Sequence, residues 1–111
     1  MYYNTKTNEP LSTRELRDLV YDYWDETIDD DWMAELLEDA YGPINIFNTP
    51  YSAAYVFMKV DPLAYRCAMV EEVEYQTDDT MYDIERAPLH DGETLEEWGL
   101  DFVVYKEENE E

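Results

Sequence analysis

The pattern of apolar positions predicts an amphipathic helix soon after the N-terminus. Ser12 and Glu15 are spaced as a capping box, in which the serine hydroxyl accepts from an amide and the glutamate reaches back to the cap. Leu11 and Leu16 stand at the two positions of a hydrophobic staple. Apolar residues then recur at helical spacing, at Leu16, Leu19, Val20, Tyr23 and Thr27.

The acidic run at residues 29–31 marks the change from this first helix to a second one. One of these aspartates can act as the N-cap of a helix over residues 32–41, and Gly42-Pro43 ends that helix. The inward positions of the second helix are predicted at Met33, Leu36, Leu37 and Ala40. Residues 44–49 are predicted to form a loop.

Two more helices are predicted in the middle of the chain. Residues 52–60 form a short helix, and Asp61 as N-cap with Pro62 at the first helical position begins a longer one that ends near residue 75. The apolar stripe of this longer helix is predicted at Leu63, Arg66, Cys67, Val70 and Val73. Residues 70–75 fit the period of a helix or of a strand, and the sequence leaves both open.

The last part of the chain changes to strand-like alternation. Residues 81–84 and 102–105 are predicted strands, and they form a small antiparallel sheet with Tyr2-Tyr3 as a candidate edge. Between them, residues 94–99 carry a short capping box and a closing glycine, which predicts one helical turn.

Length and composition predict one folded domain. The chain has 111 residues, of which 15% are aromatic, and rings bury large apolar areas. A chain of this size buries about two-thirds of its surface on folding. The predicted fold class is α+β: a single small α-rich domain over residues 1–106 with three to four short helices and a small antiparallel C-terminal sheet. Residues 107–111 are predicted to be a frayed acidic tail.

The charge balance narrows the classes of partner. The chain carries 29 Asp or Glu against 7 Lys or Arg, a formal net charge of −22. A protein that binds nucleic acid directly, or an anionic membrane, needs a cationic face, which seven dispersed bases do not supply. We therefore expect a basic protein or ribonucleoprotein as partner, no direct nucleic acid and no membrane. Because no stretch predicts a membrane span or a signal peptide, we expect a cytoplasmic location, in a host cytoplasm for a phage-encoded chain.

The sequence has few of the residue types that catalysis or metal binding requires. Cys67 falls on the predicted apolar stripe and His90 in a loop, so a nucleophilic pair of the two is a minor alternative. One cysteine and one histidine are too few for a typical zinc site, and neither residues 29–32 nor 78–81 fit the EF-hand pattern. We expect no enzymatic activity, no cofactor and no metal site.

The placement of the acidic residues carries more information than their number. Asp18, Asp22, Asp25 and Asp29 recur at spacings of 4, 3 and 4, which predicts one face of the first helix, opposite its apolar stripe. Consecutive members are then about 4.5–6 Å apart along the axis, similar to the repeat of about 3.4 Å along a DNA strand. Further acidic candidates for partner binding are Glu35, Glu38, Asp39, Glu71, Glu72 and Glu74. Two aromatic residues off the main stripe, Tyr21 and Trp24, are candidate interface residues, with core packing as their alternative role.

Less specific explanations of the charge stay open. Acidic surfaces keep proteins in solution, although a small domain needs a net charge of magnitude only about 2–8 for that purpose. A salt-loving host is another explanation, but the aromatic content of 15% is higher than we expect for such proteins.

Two stretches and the overall character carry a resemblance. Residues 2–8, followed by a capped acidic helix, and residues 60–66 resemble small proteins of bacteriophages and other mobile elements. In size and charge the chain is similar to the DNA-mimic anti-restriction proteins and to several anti-CRISPR proteins, without a shared motif. This resemblance implies a non-enzymatic inhibitor, monomeric or homodimeric, that binds the basic nucleic-acid channel of a CRISPR effector or restriction enzyme. The alternative is an acidic adaptor or structural protein that binds another basic host protein without copying DNA.

Overall fold

The computed structural model describes residues 1–107, and the predicted α+β class is confirmed. Its helices are α1 (Thr13–Thr27), α2 (Asp30–Tyr41), α3 (Ala53–Val60) and α4 (Pro62–Arg86). Its strands are β1 (Tyr2–Asn4), β2 (Glu9–Leu11), β3 (Ile44–Ile46), β4 (Thr49–Tyr51), β5 (Thr94–Leu95) and β6 (Leu100–Tyr105). Apart from Glu107, the predicted acidic tail lies outside the described residues. Across residues 1–107, no helix has the length and apolar character needed to cross a membrane.

The chain divides into two compact units. The first comprises residues Met1–Trp24 together with the chain from Tyr75 onwards, and the second comprises Asp25–Glu74. Helices α1 and α4 each contribute residues to both units. That residues 1–106 act as a single domain stays a prediction.

The first unit contains an antiparallel sheet in the order β2-β1-β6-β5. A turn over residues 5–8, with Asn8 at a positive φ of 58°, returns the chain so that β2 pairs with β1. Tyr2-Tyr3 therefore lies in an inner strand between β2 and β6, and its predicted position at the edge is wrong. The predicted strand over residues 102–105 is confirmed, and β6 begins two residues earlier, at Leu100.

Two local signals of this unit form as predicted, and a third does not. The Ser12 Oγ accepts from the Glu15 amide over 3.1 Å, and the Glu15 carboxylate accepts from the Ser12 amide over 3.3 Å, which confirms the capping box. Gly99, at a φ of 77°, ends a 3₁₀ turn over Glu96–Trp98, so the predicted helical turn is also confirmed. The capping box predicted there does not form, because Thr94 is part of β5 and no side chain caps the turn.

The core of the first unit is made by helices packed on the sheet. The buried members are Leu16 and Val20 of α1, Met81 and Ile84 of α4, and Leu95, Leu100 and Val103 of the C-terminal strands. Leu11 and Trp24 pack against them at the margin. Apolar side chains brought together from three distant parts of the chain therefore close this core.

Helix α4 departs most from prediction. It continues without interruption for 25 residues, so residues 70–75 are helical and the strand predicted at 81–84 is wrong. Leu63, Arg66, Cys67 and Val70 are exposed, and of the predicted stripe only Val73 is buried. The buried stripe is instead Tyr65, Val73, Thr77, Thr80, Met81 and Ile84. Threonine and tyrosine occupy half of these positions, and their hydroxyls masked the helical period.

The second unit is built from α2, α3 and the first half of α4 around a small core. Its buried side chains are Ile28, Met33, Ala53, Ala54, Tyr65 and Val73. The predicted cap at the acidic run is confirmed, since the Asp29 carboxylate accepts from the Trp32 amide over 2.9 Å, although α2 begins two residues early, at Asp30. Leu36 and Ala40 were predicted to face inward but are exposed.

Predicted helix boundaries in the second unit are otherwise confirmed. Gly42, at a φ of 69°, follows the last residue of α2, and Ser52 precedes α3. The Asp61 carboxylate accepts from the Ala64 amide over 3.0 Å and so caps α4, with Pro62 as its first residue. The predicted loop over residues 44–49 is wrong in its larger part, because β3 and β4 form an antiparallel hairpin there.

Candidate partner-binding site

Three of the predicted aspartates stand on the exposed positions of α1. The capping box begins this helix at Thr13, and burial of Leu16 and Val20 leaves Asp18, Asp22 and Asp25 exposed. Asp29 does not extend this row, because α1 ends at Thr27 and the buried Ile28 follows. The predicted row of four is therefore corrected to three aspartates on α1 and one helix cap.

A second acidic row lies on α2, in the second unit, to which Asp25 at the end of α1 also belongs, whereas Asp18 and Asp22 belong to the first unit. Glu35, Glu38 and Asp39 are all exposed, on the side of the helix away from the buried Met33. Asp31, also exposed, extends the row towards the N-terminus at a spacing of four residues. The spacings 4 and 3 from residue 31 to residue 38 repeat those of the aspartates on α1, so both helices present carboxylates to solvent at each turn.

The predicted acidic residues of α4 are divided by their burial. Glu71 and Glu74 are exposed, whereas Glu72 is half-buried. All three belong to the second unit, which carries 12 acidic and 2 basic residues in its sequence, a net charge of −10.

Several of the few basic side chains lie over aromatic rings. The Lys6 ammonium lies 4.6 Å from the Phe102 ring centroid, and the Arg86 guanidinium lies 4.2 Å from that of Tyr82. Lys59 is placed 5.6 Å from the Tyr55 ring and Lys106 5.0 Å from the Tyr3 ring. Arg17 pairs with Asp78 on the first unit. Since the chain has 29 acids and 7 bases, most carboxylates have no basic residue to neutralise them.

The two predicted interface aromatics differ in their surroundings. The Trp24 indole Nε1 donates to the Thr80 Oγ1 over 2.9 Å, and its ring stands edge-on to Tyr23 with centroids 5.3 Å apart. These contacts favour the core role for Trp24. Tyr21 is half-buried on α1. An interface role for either residue stays a prediction.

An apolar groove in the second unit was not predicted from the sequence. It has a volume of about 360 Å³ and is lined only by apolar and aromatic residues: Leu37, Tyr41, Ile44, Ala53, Val56, Phe57 and Val60. Tyr41 and Val60 at its margin are 72% and 78% exposed. The lining comes from α2, β3 and α3, and the groove was missed because residues 44–49 were predicted to be a loop.

Tyr65 links the groove-lining residue Phe57 to the acidic helix α2. The Phe57 ring stands at 90° to the Tyr65 ring with centroids 5.8 Å apart. The Tyr65 hydroxyl donates to the Asp30 carboxylate over 2.8 Å. Burial of the phenol, followed by this hydrogen bond and the negative charges of Asp30 and Asp29, raises the pKa of Tyr65 to about 12.

The turn of the hairpin next to the groove carries an exposed phenylalanine. Phe47 and Asn48 have φ values of 51° and 63°, so both central residues of this two-residue turn lie in the left-handed region. Turns of this kind favour Asn-Gly or Gly-Gly, because a bulky side chain is disfavoured at a positive φ. Phe47 is nevertheless 98% exposed. The sequence signal for it is the alternation of Ile44, Asn45 and Ile46 before Phe47, in the segment between Pro43 and Pro50.

Cys67 and His90, the two candidates for nucleophilic chemistry, are both exposed. Cys67 is exposed on α4 in the second unit, which contradicts the predicted burial, and His90 is exposed in the segment that precedes β5 in the first unit. A pocket of about 540 Å³ in the first unit is lined by Ala87, Pro88, Leu89, Gly92, Glu93, Thr94, Glu96, Glu97 and Trp98. Within residues 1–107, no group of three or more His, Cys, Asp or Glu side chains is arranged to hold a metal ion.

Comparison with protein families, with curated proteins and with solved structures finds no match to this chain. Two features of the surface are the candidates for partner binding. One consists of the exposed carboxylate rows on α1 and α2, and the other is the apolar groove of the second unit with the adjoining hairpin.

Proposed function

We propose that the protein is a non-enzymatic inhibitor that binds the basic nucleic-acid-binding channel of a defence complex, a CRISPR effector or a restriction enzyme. Its exposed carboxylates take the place of DNA phosphates in that channel. The observation that carries the proposal is the exposure of Asp18, Asp22 and Asp25 at helical spacing on one helix. A helix holds these charges at regular intervals, as a duplex holds its phosphates.

The charge placement has a cost in folding that a binding role explains. Like charges three or four residues apart destabilise a helix by about 0.2–0.5 kcal/mol per pair. Basic residues at intervening positions would remove this cost, yet several of the few cations lie over aromatic rings instead. The resulting field attracts a basic groove and accelerates association with it.

The test is a binding and inhibition assay against CRISPR effectors and restriction enzymes with a charge-neutral variant of α1. The triple variant Asp18→Asn, Asp22→Asn, Asp25→Asn should weaken binding by about tenfold or more at an ionic strength of about 0.15 M. The matched control neutralises three exposed carboxylates of the first unit, Glu96→Gln, Glu97→Gln and Asp101→Asn, and should change binding much less. Equal losses in both variants, or binding that does not weaken with salt, would contradict the mimicry.

A second candidate function is an acidic adaptor that binds a basic protein without copying DNA. The groove and the exposed Phe47 favour it, because a DNA duplex offers no comparable apolar anchor. Competition separates the two functions: nucleic acid displaces a DNA mimic from its target and leaves an adaptor bound.

A further inference from the structure

The second unit exposes an apolar surface that its described residues do not cover. Phe47, Val60 and Tyr41 are 98%, 78% and 72% exposed. Tyr41 and Val60 line the groove of about 360 Å³, and Phe47 stands at the turn of the hairpin whose first strand supplies Ile44 to that groove. Contiguous exposed apolar surfaces of this kind mark interaction sites.

The hairpin continues the groove as one face. Ile44 and Ile46 are two residues apart on β3 and so point to the same side of the strand. Tyr51 of β4 stands directly opposite Ile44, which places its side chain on that side as well. Ile46 and Tyr51 are both exposed. We call the groove with Ile46, Phe47 and Tyr51 the groove–hairpin surface.

Phe47 is unfavourable for the turn in which it lies. Its φ of 51° is in the left-handed region, where glycine, asparagine and aspartate are the usual residues. The ring is 98% exposed, so packing within residues 1–107 does not compensate for this backbone conformation. Side chains held in such conformations cluster at ligand-binding sites.

We propose that the groove–hairpin surface binds an amphipathic basic segment of the partner protein, with apolar side chains in the groove and Phe47 against the same segment. Charge complementarity selects this occupant. The second unit has a net charge of −10, and the exposed Glu38 lies three residues before the lining residue Tyr41, at a neighbouring position on α2. A second copy of this chain, at −22, is disfavoured by repulsion. The identification of a basic partner rests on the proposed function.

The groove volume accommodates apolar side chains of a polypeptide segment, and charge complementarity rather than volume selects this occupant. About 360 Å³ is near the lower end of the range for small-molecule pockets, about 300–1,000 Å³. One or two aliphatic side chains of a segment fill such a space, in the manner of an amphipathic helix lying in an apolar groove. Glu38 of α2 then lies nearest to the basic side of the segment.

The test uses two helical peptides of about 18 residues, one with leucines on one face and lysines elsewhere, the other with glutamine in place of each leucine. Their affinities for the full chain are measured by fluorescence anisotropy at an ionic strength of about 0.15 M. The leucine peptide should bind about tenfold or more tightly than the glutamine peptide, although both have the same charge. Val60→Gln should abolish most of this difference. The control Leu63→Gln changes a residue that is 72% exposed and outside the groove, and it should preserve the difference.

The variant Phe47→Gly distinguishes a binding role for this residue from a structural role. Glycine adopts a positive φ without strain, so the melting temperature should stay the same or rise while affinity for the leucine peptide falls. A lower melting temperature with unchanged peptide affinity would overturn the role of Phe47.

Three outcomes overturn the proposed occupant. They are equal binding of the two peptides, equal losses in Val60→Gln and Leu63→Gln, and a homodimer in sedimentation that Val60→Gln dissociates. Loss of the leucine preference in Val60→Gln supports the proposal even where the α1 triple variant keeps full inhibition, a result that counts only against the proposed function.

Discussion

The two units of the chain use their apolar residues in opposite ways. In the first unit, Leu16, Ile84, Leu95, Leu100 and Val103 are almost completely enclosed between helices and a four-stranded sheet. In the second unit the core is small and includes two alanines, while the exposed large apolar side chains concentrate there. Of the twelve such side chains among residues 1–107, nine belong to the second unit.

The difference follows from how each unit is connected. The first unit joins both ends of the chain, since β1 pairs with β6 and the Met1 amino group donates to the Lys106 carbonyl over 2.8 Å. The second unit is one continuous segment whose only paired strands are the hairpin β3–β4 within the described residues. A two-stranded hairpin is marginally stable alone. The exposed side chains of this hairpin therefore stay available for binding. We infer that stability is concentrated in the first unit and apolar recognition in the second.

The largest expected effect is a core truncation in the first unit. Ile84→Ala should lower the free energy of unfolding by about 2–5 kcal/mol, because Ile84 is fully buried and the change leaves a cavity. Leu63→Ala on the exposed side of the same helix should cost about 0.5 kcal/mol or less. Urea denaturation measures both, and similar costs would contradict the packing of α4.

The difference between two glycine substitutions is expected to be smaller, and it compares the two units directly. A Cβ on Gly99 would meet the Tyr23 ring within 2.3–2.8 Å, whereas a Cβ on Gly42 would meet nothing within 4 Å. Both glycines have a positive φ. Alanine adds backbone strain of about 1–2 kcal/mol at Gly99, which lies in the left-handed region, and about 1–3 kcal/mol at Gly42, whose ψ of −171° lies in a region almost exclusive to glycine. Overpacking adds about 1–3 kcal/mol at Gly99 alone. The melting temperature of Gly99→Ala should therefore lie below that of Gly42→Ala. The reverse order would refute the tighter packing of the first unit.

The last effect appears only at alkaline pH and concerns Tyr65 in the second unit. Its pKa is raised from 10.0 to about 12, so the folded state favours the neutral phenol. This contribution to stability is complete below about pH 10 and is lost as the pH rises through 12. Burial also raises the pKa of Tyr2 in the first unit, so Tyr65→Phe should reduce the alkaline loss of stability without abolishing it. Spectrophotometric titration with chemical denaturation at each pH checks this, and an unchanged profile in Tyr65→Phe would exclude Tyr65 as its source.

The correctly predicted parts of the fold depend on contacts within a few residues. The Ser12–Glu15 box, the Asp29 cap and the Asp61 cap each join atoms three residues apart, so their sequence spacing is sufficient to predict them. The same local reasoning predicted the exposed aspartates of α1. It placed Asp29 on that helix because helical spacing alone does not show where a helix ends.

The errors occur where burial depends on distant neighbours. Thr80 is buried in α4 because the Trp24 indole donates to its hydroxyl, and Tyr65 because Asp30 accepts from it and Phe57 packs on it. Each polar atom is satisfied by a partner from another element, so the residue behaves as an apolar one. Hydropathy along the chain does not reveal such partners. The buried stripe of α4 was therefore predicted at Leu63 and Cys67 instead.

The sequence by itself determined the charge of this protein, the start of most helices and the position of its last strand, because charge is additive and capping is local. The tertiary structure alone decided which face of α4 is buried, that β1 is an inner strand, and that a groove forms beside a hairpin with an exposed phenylalanine. Those features arise when elements far apart in the chain exclude water from one another, and a residue's burial is then a property of its neighbours in space.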